Sequence, residues 1–64
     1  MPDPRVSHAN PRSEAAANAA AYIADLSGNL AAIARDNGLE TLGYLLDMAK
    51  LEAENEARLL SERR

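Results

Sequence analysis

The nearest thing to a reactive set in this chain is a line of four polar residues, Asn18, Asp25, Asn29 and Asp36. Steps of seven, four and seven keep them on one stripe if the segment is helical. Its two carboxylates, Asp25 and Asp36, then stand about 16 Å apart along the axis. That is too far to share a metal ion or to work as a general acid–base pair, so the stripe reads as a solvated face. His8 is the one histidine, in a proline-rich stretch with no second ligand beside it. There is no cysteine, which removes disulfides and thiolate metal sites. Ser7, Ser13, Ser27 and Ser61 belong to no nucleophile–base set, and no glycine-rich phosphate loop occurs. The expectation is a non-enzyme with no cofactor and no metal.

What the chain does carry is apolar periodicity. Residues 39–60 read as one long helix with two apolar edges. Leu42, Leu46, Ala49, Ala53 and Leu60 form the first, flanked by Leu45 and Ala57. Tyr44, Met48, Leu51 and Leu59 form the second, with Asn55 in the same row. At about 100° per residue these edges lie on nearly opposite sides. A charged strip of Asp47, Lys50, Glu54 and Arg58 runs between them, with Glu54 and Arg58 in the favourable order for an i, i+4 pair. Glu52 and Glu56 narrow the apolar surface toward the C-terminus.

The segment before it gives a second helix. Ser13 suits an N-cap, and Glu14 suits the positive end of the helix dipole. Ala19, Ile23, Leu26, Leu30 and Ile33 then step by four, three, four and three, a heptad seam. At Gly28 the helix either ends near Ser27 and restarts or continues, with room for a kink; the apolar phase carries straight through, which favours continuity at a cost of about 1 kcal/mol relative to Ala. Asn37-Gly38 is a strong stop, with Gly38 as the left-handed residue after the cap. So short a connection makes the helices antiparallel neighbours.

The expected fold is therefore all-α: an antiparallel hairpin over residues 13–64 behind a disordered tail, residues 1–12, that holds all three prolines. Folding about Gly38 sets Ile33 against Leu42, Leu30 against Leu45 and Leu46, Leu26 against Ala49 and Ile23 against Ala53. The expected hairpin core is thus Ala19, Ile23, Leu26, Leu30, Ile33, Leu42, Leu46, Ala49 and Ala53. Tyr44, Met48, Leu51, Asn55 and Leu59 are then left over as a dimer interface. Two hairpins joined there make a homodimeric four-helix bundle. Asn37 and Gly38 would be the hinge if the subunits exchange helices, and the contacts are identical in the swapped and unswapped forms.

Composition narrows the partners to the chain itself or another protein. Net charge is −3, with +1 in the tail and −4 in the helical part, against the basic face that nucleic acid requires. Residues 30–46 superficially resemble a helix-turn-helix, the alternative reading being a small DNA-associated regulator. The helix that would enter the groove opens on Glu40, Thr41, Gly43, Tyr44 and Asp47, with two acids and no base. No apolar run reaches the roughly 20 residues of a membrane span. The N-terminus lacks a hydrophobic signal core, so the expected location is cytoplasmic.

The runs Tyr22-Ile23-Ala24-Asp25-Leu26 and Gly38-Leu39-Glu40-Thr41-Leu42-Gly43-Tyr44-Leu45-Leu46-Asp47-Met48-Ala49-Lys50-Leu51-Glu52-Ala53-Glu54-Asn55 resemble a group of very short uncharacterised proteins of alphaproteobacteria. The resemblance lies mainly in the second helix. It implies an all-helical, self-associating protein and brings no activity, cofactor or functional residue with it.

Overall fold

The computed structural model describes residues 11–62, and the side chains of residues 14–62. Two helices account for them: α1, Pro11–Asp36, and α2, Glu40–Glu62. The expected tail, residues 1–12, lies outside the described residues except at its end. There α1 begins at Pro11, ahead of the expected cap at Ser13. A proline is tolerated in a first turn because its missing N–H would have no acceptor within the helix. α1 runs unbroken through Gly28.

The turn between the helices is a Schellman cap. Gly38 has φ +75°, the left-handed region that favours glycine. The Leu39 amide donates to the Ala34 carbonyl at 2.8 Å, and the Gly38 amide donates to the Arg35 carbonyl at 3.0 Å. Asn37 strengthens the stop, donating from Nδ2 to the Ile33 carbonyl at 2.8 Å. α2 starts at once, its first bond running from the Gly43 amide to the Leu39 carbonyl at 2.9 Å. The chain thus reverses over three residues and the helices pack side by side. In axial register Ala31 comes level with Gly43 and Gly28 with Lys50, close to the pairing the sequence leads one to expect.

The rotation of the helices differs from that expectation. On α1 the residues that turn inward are Ala17, Ala20, Ala24, Ser27, Ala31 and Ala34. These step by three and four like the expected seam but belong to a neighbouring stripe. Ala31 is 1% exposed, whereas Ile33 of the expected core is 57% exposed. Ile23, Leu26 and Leu30 are also exposed, as is Ala19. On α2 the inward stripe is Gly43, Leu46, Lys50, Ala53, Ala57 and Leu60. Leu46 and Ala53 keep their expected place, while Leu42 and Ala49 fall outside it.

Small side chains explain the choice. A seam of Ala, Ser and Gly lets two backbones approach toward the short end of the usual 8–10 Å interaxial range. A Cβ on Gly43 would stand 3.1 Å from Cγ of Arg35 and 3.5 Å from the Ala31 carbonyl oxygen. A Cβ on Gly28 would stand 3.1 Å from Cε of Lys50. The Lys50 stem therefore packs across α1 where glycine leaves room, with its ammonium carried outward. Ser27 is the one buried polar side chain among the described residues, and no buried side-chain polar atom there lacks a partner.

Candidate interaction surface

Apart from Leu46, Lys50 and Leu60, the seam leaves the large side chains outside. Among the described residues, twelve large hydrophobic side chains are at least 40% exposed, and no large side chain is fully buried. Their positions follow from the seam at about 100° per residue. Ile23, Leu26, Leu30 and Ile33 lie roughly a third of a turn to one side of the α1 seam. Leu42, Leu45 and Ala49 lie roughly a quarter of a turn from the α2 seam. The helices run antiparallel, so both rotations lead to the same side of the two-helix layer. The result is one broad apolar face to which both helices contribute.

The opposite side is charged. Arg35 bridges to Asp47 between the helices, and Lys50 pairs with Glu54 at 2.6 Å. The hydrogen bond and charge of Glu54, with help from Asp25 and Asp47, hold the Lys50 ammonium above its ordinary range. Asn18, Asp25, Asn29 and Asp36 are all exposed and run along the flank of α1 that faces away from α2. The expected Glu54–Arg58 pair does not form. Lys50, laid over Gly28 by the seam, takes Glu54 instead. Arg58 donates to Oδ1 of Asn55 at 2.7 Å, and its Nε lies 4.0 Å from Glu62.

A second, narrower apolar strip lies on the flank of α2 that faces away from α1. It holds Tyr44, Met48, Leu51 and Leu59, the residues expected to carry a dimer. All four are exposed. Asn55, in the same row, is half-buried and already engaged by Arg58. Only α2 contributes to this strip, whereas the broad face has two helices beneath it. Sequence reasoning missed the α1 share of the exposed apolar face, because it placed Ile23, Leu26, Leu30 and Ile33 inside the hairpin. It also missed Leu45 as a surface residue.

Among the described residues no three His, Cys, Asp or Glu side chains gather where a metal ion could sit. No helix among the described residues is long and apolar enough to cross a membrane. A helix-turn-helix sets its helices at about 90–120°, whereas here α2 lies alongside α1 from Gly43 at least to Ala53. The first two turns of α2 present Glu40 and Asp47 and no basic residue.

No protein-family model, no curated protein and no solved structure matches this chain.

Proposed function

We propose that this protein is a non-enzymatic interaction module that works as a homodimer, two hairpins forming a four-helix bundle. The observation that carries the reading is the inversion of size across the hairpin. The buried residues are Ala24, Ser27, Ala31, Ala34, Gly43 and Ala53, while twelve large leucine, isoleucine, methionine and tyrosine side chains are exposed and only Leu46 and Leu60 among the leucines are half-buried. Fully burying a Leu or Ile side chain is worth about 1.5–3 kcal/mol, and the hairpin by itself forgoes most of that. Two helices meeting over alanine are also a poor match for the backbone entropy of ordering them, about 1–2 kcal/mol per residue. Chains of this size commonly reach stability by oligomerising. A contiguous apolar surface on a small chain is the usual mark of such an interface.

Sedimentation equilibrium at micromolar concentration tests this. The expected result is twice the chain mass, 6.9 kDa, with full helical content. A compact, fully helical monomer would refute it.

A further inference from the structure

The broad face is built to take a second copy in one particular orientation. We infer that two hairpins stack face to face with their Asn37-Gly38 turns at opposite ends, α1 lying over α1 of the partner and α2 over its α2. This deepens the self-association proposed above and rests on it.

Three observations lead there. The first is a palindrome. The α1 face reads Ile23, Leu26, Leu30, Ile33, spaced three, four and three, and is symmetric about position 28. When one such stripe is laid antiparallel on another about that point, each Ile meets the partner's Ile and each Leu meets its Leu. A two-fold axis through that point therefore pairs like side chains with like, which is compatible with an isologous interface. The second is charge. The α1 side of the face is free of charged residues from Ala15 to Ile33, and the α2 side is apolar up to Ala49. Glu52 and Glu56 follow at the open end, both exposed. No basic side chain among the described residues shares that side with them. Turns at opposite ends carry the two Glu pairs to opposite ends of the bundle, whereas turns together bring all four to one end, where like charges are penalised. The third is area. A standard interface takes about 800 Å² from each partner, roughly a sixth of the 4927 Å² this chain exposes. One broad side of a single layer of two helices supplies that. The strip on the outer flank of α2, one helix wide, supplies less.

The absence of cysteine from the chain makes a single introduced label unambiguous. A spin label on Ala15→Cys, at the open end of α1, should report an intermolecular distance of about 40 Å, from thirteen residues of rise on either side of position 28. In parallel, Leu30→Glu should abolish the dimer in sedimentation, while Met48→Glu, on the outer flank of α2, should leave it intact. Each of these results supports the inference. A label distance under about 20 Å, the value for turns at one end, would overturn the orientation. Loss of the dimer in Met48→Glu would overturn the face. In both cases a dimeric wild type would leave the self-association itself standing. A monomeric wild type would remove both.

Discussion

Two stripes run along α1 with the same three-four spacing and meet opposite fates. One, Ala24, Ser27, Ala31 and Ala34, is buried against α2. The other, Ile23, Leu26, Leu30 and Ile33, sits a fraction of a turn away and stays exposed. By hydrophobicity alone the second stripe should win the seam. It does not: α2 approaches α1 closely at Gly43 and at Gly28, where an added Cβ would stand 3.1 Å from the nearest side chain, and such approach suits small side chains. The bulky stripe is thereby left for a surface that can approach from outside at its own distance. On α1 the inward stripe is the one with small side chains, whereas α2 turns Leu46, Lys50 and Leu60 inward beside Gly43 and Ala53.

The sharpest way to break this contrast is to give the seam what the face has. Ala31→Leu adds three carbons at a position 1% exposed and level with Gly43. It should destabilise by about 1–3 kcal/mol in urea unfolding, the range for overpacking. Leu30→Met, one residue away on the face, should cost less than about 1.5 kcal/mol. Equal effects at the two positions would remove the distinction between the stripes.

Next in size are the glycines, which differ for a physical reason. Gly38→Ala places a Cβ at φ +75°, where no neighbour lies within 4 Å and the backbone alone resists. A loss of about 1 kcal/mol is expected from thermal melts. Gly28→Ala should go the other way, by about 0.5 kcal/mol, because helix propensity favours alanine. The atoms it meets are the outer carbons of Lys50, a chain that can swing aside. A loss at Gly28 would mean that Lys50 is fixed in the seam.

The smallest effect belongs to the charged side. Asp47→Asn removes the bridge to Arg35, but both side chains are more than a third exposed. The change should be no more than about 0.5 kcal/mol and should vanish at high salt.

These contrasts also mark what could be read from the residues alone. The turn was legible because Asn37-Gly38 acts locally: glycine has no Cβ to oppose a positive φ, and the asparagine amide reaches the Ile33 carbonyl. The run through Gly28 was favoured, because the apolar phase does not slip there, but the residues alone leave a break near Ser27 open and the structure shows α1 continuous. The rotation of each helix was not legible. Residues 24, 27, 31 and 34 carry the same period as 23, 26, 30 and 33, so periodicity cannot separate them, and alanine reads only as helix propensity. The ion pairs failed for a related reason. Glu54 and Arg58 stand in the better order, but Lys50 is steered to Glu54 by packing over Gly28, a contact between helices that no local rule contains. For the candidate interaction surface, Leu51 and Met48 were recognisable as unpartnered because α2 has two apolar edges. The α1 face was hidden by being assigned to the seam.

The central claim is that a layer of two helices joined by alanine completes its fold only on another surface, its own copy being the one proposed. The most direct measurement is the midpoint of thermal unfolding, followed by helical circular dichroism, across a hundredfold range of protein concentration. If association and folding are one event, the midpoint rises with concentration. A sharp, reversible transition with a midpoint independent of concentration, in a chain that sediments as a monomer, would contradict the account.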